Sequence, residues 1–362
     1  MSDDTLDDKE LREALALPEI LHPLVNGRRD LSSREPRSTD FILSGWVPTG
    51  FCTFAGDSGT GKTSAVFPMA LAAAGLIKDG HGFPPVPFER RQVIYHSEDE
   101  EQLKRMLELL KGKGLVEGDV DKWLTVVPAQ RLSIDEYLQD FDGTQLLPLR
   151  TPCDRDGQTL ELSPLIVFDT YQECFALNDE NNNSEVGHCI ASLKKVLKDF
   201  TDGVWIVAHT AKGSRQGRIR GASAIEGVVN QTFMVYRRAN QIWMEVGKNR
   251  SELRARKVVL RPSKGPVELT DRWGYTKPEW VTVSFPDIPT KEELAAAESD
   301  KAESLLEAAK EALKDGPIGK TKLVNTLKGR RETRISAIDD WIKAGILVGE
   351  KKSGTEMISL PE

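Results

Sequence analysis

Short, nearly unbroken apolar runs alternate with amphipathic stretches through the middle of the chain. Phe51–Ala55, Gln92–His96, Leu124–Val127, Leu165–Asp169 and Val204–Ala208 read as strands. Between them, Ser64–Leu76 is Ala-rich and helical, Glu100–Lys111 sets Leu103, Met106, Leu107 and Leu110 on one face, and Glu185–Phe200 predicts a further helix. Strands that are apolar on both faces and separated by helices predict an α/β fold around a buried, mostly parallel sheet. Residues 139–163 break this rhythm, and Asp154-Arg155-Asp156-Gly157 predicts the turn of an inserted hairpin. From residue 231 the pattern is strand after strand: Thr232–Tyr236, Ile242–Val246, Lys257–Leu260 and Trp280–Phe285, with a tight turn at Ala239-Asn240. These predict an antiparallel extension of the same sheet.

The flanks differ in character. Residues 1–36 are charged, with one amphipathic stretch near Glu10–Leu24 (Leu11, Leu15, Leu17, Ile20, Leu21) that reads as a weak helix ending before Pro23. It is either a loosely ordered tail or a helix that docks on a neighbouring subunit. Residues 37–286 form the core, 287–300 a polar linker, and 301–362 a small separate domain. In that domain Ala302–Leu313, Lys320–Leu327 and Glu332–Ala344 predict three helices, and Ile346–Gly349 and Met357–Leu360 two strands around a Lys351-Lys352-Ser353-Gly354 turn. The succession is that of a winged helix. Six cations between Ile318 and Arg334 (Lys320, Lys322, Lys328, Arg330, Arg331, Arg334) suit docking on a duplex, and a protein-interaction module of the same shape fits as well.

Composition narrows the possibilities. With 362 residues and 39% hydrophobic content, the chain can bury one large core and a small second one. No run of about 18 apolar residues exists, so no membrane span is expected. The acidic start (Asp3, Asp4, Asp7, Asp8) is unlike a secretory signal. The four cysteines form no CxxC pair and predict reduced thiols in a cytoplasmic compartment. Cys174, His188 and Cys189 come nearest to a metal set, though ordinary core and loop positions explain them better. A net charge of -7 argues against nucleic-acid binding by bulk positive charge. Such contacts would need local basic patches, repeated around an oligomer.

The chemistry concentrates at the strand ends. Gly56-Asp57-Ser58-Gly59-Thr60-Gly61-Lys62-Thr63, followed by Ser64, fits GxxxxGK[ST] between a strand and a helix. Glycines let the backbone wrap N–H groups around phosphate oxygens, and the helix start points partial positive charge at the same anion. Lys62 would neutralise the β- and γ-phosphates of ATP, and Thr63 would offer its hydroxyl to Mg²⁺. Asp169 ends an apolar strand, where a carboxylate can hold the Mg²⁺. The residue after it is Thr170, so the carboxylate that activates water must come from elsewhere. Glu98, at the end of Gln92–His96 and its following Ser97, is favoured over Asp99 and Glu100. His209, closing Val204–Ala208, could touch both the γ-phosphate and the loop beyond.

The set FAGDSGTGKT, VIYHSEDE, LIVFDT, VWIVAHTAKG and RGASAIEG resembles the RepA-like branch of the RecA-fold hexameric ATPases, with DnaB-type replicative helicases as more distant relatives. The resemblance covers about residues 38–285 and includes Asp40–Trp46 and Asn178–Asn181. It implies a RecA-like P-loop NTPase core with the His209 strand between the strands of Lys62 and Asp169. It implies a homo-oligomeric ring, usually of six, with ATP between subunits and a basic residue from the neighbour completing each site. Lys248 and Arg250 resemble those trans-acting fingers. It also implies that Lys212, Arg215, Arg218 and Arg220, in a loop without acids, line a central channel and grip single-stranded DNA.

The expected activity is ATP hydrolysis driving movement on single-stranded DNA, as in a small replicative helicase of phage, plasmid or mobile-element type. A filament-forming RecA-like recombinase or strand-annealing protein shares the motifs. So does an ATP-switched DNA-binding regulator or loader.

Overall fold

The computed structural model describes residues 40–43, 45–77, 90–139, 141, 143–155, 158–179, 182–210, 225, 227–249, 253, 257–271, 273–327, 331–352 and 354–361. The expected helix or tail at residues 1–36 lies outside them. A small hairpin, β1 (Phe41–Leu43) and β2 (Val47–Pro48), leads into β3 (Gly50–Gly56) and α1 (Lys62–Ala73). Next come β4 (Val93–Ser97), α2 (Glu100–Gly112) and β5 (Leu124–Pro128), then the hairpin β6–β7 (Thr151–Arg155, Gln158–Leu162). The chain continues through β8 (Leu165–Asp169), α3 (Asn183–Leu197) and β9 (Gly203–His209). Four further strands follow: β10 (Gln231–Arg238), β11 (Gln241–Asn249), β12 (Lys257–Thr270) and β13 (Thr276–Asp287).

Nine strands form one sheet in the order β13-β12-β11-β10-β3-β9-β8-β4-β5. From β10 to β5 the neighbours are parallel, and β11, β12 and β13 extend the sheet antiparallel. The apolar runs follow from this topology. Every residue of β8 is buried because helices cover both faces of a parallel sheet. Alternation divides each strand between two cores. Tyr95, Val167, Trp205 and Phe233 pack with α1 and α2, whereas Ile166, Phe168, Val204 and Ile206 pack with α3.

The second core includes His96, whose ring stacks on Phe168 at 4.8 Å and whose Nε2 lies 3.2 Å from the Tyr137 hydroxyl. Burial lowers its pKa from 6.5 to about 4. Between those values the unfolded chain holds a proton at this position and the folded chain does not. Stability from this group is therefore complete above pH 6.5 and falls as pH drops toward 4, by about 3 kcal/mol in all. We expect urea midpoints to show His96→Asn losing less stability than the unaltered chain between pH 7 and 4. Equal losses would contradict the assignment.

The antiparallel half corrects the sequence reading in two places. The turn between β10 and β11 does fall at Ala239 (φ 46°) and Asn240 (φ 59°), the left-handed pair that a two-residue turn needs. The expected strands Lys257–Leu260 and Trp280–Phe285, however, are parts of a longer ribbon paired from Val259↔Asp287 to Thr270↔Thr276. Pro262, Pro266 and Pro278 disguise it. Beyond Leu260, β12 no longer pairs with β11, so prolines without an N–H fit on the open edges.

The second correction concerns residues 287–300, expected as a linker: α4 runs unbroken over Lys291–Leu313. A Thr290–Glu293 capping box starts it, and Leu294 and Ala297 pack on Trp243 and Val259 of the sheet. Arg261 forks onto Glu293 at 2.5 and 2.9 Å and reaches Asp287 at 3.1 Å.

After α4 come β14 (Ile318–Gly319), α5 (Lys320–Thr326), α6 (Arg331–Lys343), β15 (Val348–Lys352) and β16 (Thr355–Ser359). Three strands pair in the order β14-β16-β15 over a core that includes Leu313, Leu323, Ile338 and Ile358. Two of the six expected surface cations are engaged internally. Lys320 bridges Asp339 (2.5 Å) and Glu356 (3.0 Å). Buried Arg334 donates to the carbonyls of Val324 and Leu327. Lys322 and Arg331 are exposed, and Lys328 and Arg330 lie outside the described residues. Cys52, Cys174 and Cys189 are buried free thiols. Among the described residues, no helix is long and apolar enough to cross a membrane.

Candidate nucleotide-binding site

The loop between β3 and α1 takes its shape from close packing at one end and open space at the other. A Cβ on Gly56 would lie 2.2 Å from the Val235 carbonyl oxygen of β10, so only glycine fits. Gly59 (φ +73°) has open space where a side chain would stand, and Gly61 (φ +87°) turns the chain into α1. No side chain caps that helix, so its first amides point out of the sheet unshielded. Thr60 and Ser64 donate to the carbonyls of Asp57 (2.8 Å) and Gly61 (2.9 Å) and brace the loop from within. The Asp57 carboxylate accepts from the Thr210 hydroxyl beyond β9. Ser58 lines the cleft in front of the loop.

Lys62 is 4% exposed. Its ammonium donates to the carbonyls of Gly56 (3.0 Å) and Asp57 (2.9 Å) and to His209 Nδ1 (3.2 Å). An ammonium only donates, so Nδ1 is the acceptor and the ring proton sits on Nε2. Burial pulls the Lys62 pKa down, opposed by the charges of Asp169, Asp57 and Glu98. His209 is likewise lowered, by burial and then by Lys62, which favours the neutral ring.

Asp169 is buried at the tip of β8. Thr63 Oγ1 donates to its Oδ1 (3.2 Å) and the Tyr95 hydroxyl to its Oδ2 (2.6 Å). Burial raises its pKa to about 6 despite both hydrogen bonds. Tyr95 is a site residue that the motifs do not single out. Its signal is its phase: two residues before the β4 tip, on the face shared with α1, where it reaches the neighbouring strand's acid.

A hydroxyl and a carboxylate held 3.2 Å apart at a phosphate loop form a hard-oxygen donor set. They fit Mg²⁺, which binds through one or two protein oxygens plus phosphate and water. Among the described residues no group of three His, Cys, Asp or Glu side chains offers an all-protein alternative.

Glu98 stands at the tip of β4, its amide bonded to the Asp169 carbonyl (3.1 Å) and its carboxylate facing the Thr170 hydroxyl (3.5 Å). Burial first, and Glu173 next, raise its pKa, which strengthens it as a base. The competing acids have other positions. Asp99 caps α2 by accepting from Gln102 N at 2.8 Å, and Glu100 sits in that helix's first turn. Glu98 lines the same cleft of about 740 Å³ as Lys62, Thr63, Thr170 and His209.

Strand order puts β9 between β3 and β8, so His209 sits between the loop and Asp169. Lys248 falls elsewhere. Its neighbour Asn249 pairs with Gln231, which pairs with Cys52, roughly 13 Å down the sheet from Gly56. The Lys248 side chain, Arg250 and the loop carrying Lys212, Arg215, Arg218 and Arg220 lie outside the described residues.

Residues 20–215 match the AAA domain family, a P-loop nucleotide-hydrolase group. No curated protein matches the chain. The matched stretch contains β3, the glycine-bearing turn, both strand-tip acids and His209, so sequence family and geometry mark the same wall of the cleft. The chain belongs to the AAA domain family.

Proposed function

We propose that this protein is a RepA-like, DnaB-related ATPase that assembles as a closed ring, usually of six, and moves along single-stranded DNA. The best-fitting role is a small replicative helicase of phage, plasmid or mobile-element type in a bacterial cytoplasm. One observation carries the reading. Lys62, Thr63 and Glu98 line one cleft, and Asp169, on the strand beside Glu98's, accepts a hydrogen bond from Thr63.

ATP fits with its β- and γ-phosphates against Lys62 and the amides of Gly59–Ser64. Thr63 and Asp169 would hold Mg²⁺, which would supply charge neutralisation to the phosphate oxygens. Tyr95 holds the Asp169 carboxylate in place. Glu98 orients a water and takes its proton. Neutral His209 lies between Lys62 and the chain beyond β9.

Two further features favour a motor. Lys248 stands too far down the sheet to serve its own loop, as expected of a residue that completes a neighbour's site. The root of the cation-rich loop is tied to the phosphate loop, with Thr210 N donating to Gly56 O (3.2 Å) and its hydroxyl to Asp57. Changes around the phosphates thereby reach Thr210, at the root of that loop. Residues 301–362, three helices against a three-stranded sheet, suit a winged helix that takes duplex DNA or a protein partner.

ATPase rates with and without single-stranded DNA test this reading. Stimulation of several-fold, with closed rings in electron micrographs, is expected. Open helical filaments would favour a recombinase. A slow rate indifferent to single strands, with duplex binding through residues 301–362, would favour a switch.

A further inference from the structure

The Asp169 carboxylate has a different partner on each oxygen. Thr63 Oγ1 donates to Oδ1 at 3.2 Å, and the Tyr95 hydroxyl donates to Oδ2 at 2.6 Å. The two partners differ in setting. Thr63 lines the cleft, whereas Tyr95 is fully buried in the core that β4 shares with α1. Strand register explains the reach. Tyr95 pairs with Val167, two residues short of Asp169 on the neighbouring strand and roughly 7 Å from it along the sheet. A phenol spans that distance, and a phenylalanine would stop short of the carboxylate.

The ring is fixed by α1 itself. Phe67 stands one turn after Thr63 on that helix. It meets the Tyr95 ring edge-on, with centroids 5.7 Å apart and planes at 85°. The helix that brings Thr63 to one oxygen of Asp169 thus also sets the ring whose hydroxyl reaches the other.

With Oδ2 engaged, Oδ1 is left to face a cation beside the phosphate loop. Cations differ in what they ask of a carboxylate. Mg²⁺ takes single oxygens in a tight octahedral shell, whereas the larger Ca²⁺ gathers more oxygens and readily takes both from one carboxylate. A carboxylate whose second oxygen is tied into the core suits the smaller ion. We infer that Tyr95 is the specificity-determining residue of the cation site: by holding Oδ2 it makes Asp169 a one-oxygen ligand and selects Mg²⁺ over Ca²⁺. It is a positioning residue, acting through Asp169. This rests on the proposed cation role of Thr63 and Asp169 and adds which cation the pair accepts.

Tyr95→Phe keeps a ring against Phe67 and removes only the hydroxyl. Mn²⁺ held by the full chain with ADP gives an electron paramagnetic resonance signal when the chain is in excess. Displacing it with Mg²⁺ or Ca²⁺ reads the preference without hydrolysis, and a thermal melt confirms that the variant folds. The unaltered chain should release Mn²⁺ to less Mg²⁺ than Ca²⁺, and in Tyr95→Phe that preference should shrink about tenfold. In an Asp169→Asn background, Tyr95→Phe should change the preference no further. Equal weakening of both ions in Tyr95→Phe would show a packing role alone and overturn the proposal. So would an unchanged preference, or an unaltered chain that does not favour Mg²⁺, and each of these leaves the phosphate site standing. If the unaltered chain held no Mn²⁺ beyond that on free ADP, the phosphate-loop reading would fail and this inference with it.

Discussion

Alanine in place of Lys62 is expected to cut ATP hydrolysis by about 10²–10³-fold and to weaken nucleotide binding as well. The ammonium is held by the carbonyls of Gly56 and Asp57 and by His209, in a pocket where it is 4% exposed. These bonds hold the ammonium beside the loop, where it can exchange partners for the terminal phosphates, and low solvent access strengthens its charge. Alanine cannot replace the charge, and water entering the gap is a poor substitute. Phosphate-release rates and equilibrium binding of a fluorescent ADP analogue measure the two losses, and a thermal melt checks that the fold survives. A near-normal rate would remove Lys62 from the chemistry.

Glu98→Gln should separate binding from turnover. The carboxamide keeps the shape of the side chain but cannot take a proton, so hydrolysis should fall by about 10²–10⁴-fold while nucleotide affinity holds. Burial and Glu173 keep the native carboxylate's pKa above its ordinary value, which suits it to receive a proton from water. Asp99→Ala is the informative control. Asp99 caps α2, so its loss should cost helix stability rather than turnover. Full turnover in Glu98→Gln, measured under saturating ATP, would reassign the base.

Much of this site is legible in the amino-acid sequence, for a physical reason. A parallel sheet buried on both faces announces its strands as apolar runs, and ligands gather where those runs stop. Gly56, Lys62, Glu98, Asp169 and His209 all stand at such boundaries. What stays hidden depends on distant partners. Tyr95 looks like any core aromatic until β8 is laid beside β4. Lys320 and Arg334 look like surface cations until Asp339, Glu356 and two carbonyls close around them. The ribbon beyond Leu260 carries prolines that argue against strands unless its edges are known to be open. Polar composition disguises the start of α4, although Thr290 and Glu293 carry the signature of a helix start.

The fastening of α4 has a mechanical consequence. Glu293 is gripped by Gln241 and Arg261, both on the wall of the cleft. From that grip to Leu313 the helix is a stiff rod of roughly 30 Å. A tilt of about 5° at the gripped end would swing the other by roughly 3 Å, so the rod works as a lever arm that magnifies small shifts of the wall into displacements of the segment beyond Leu313.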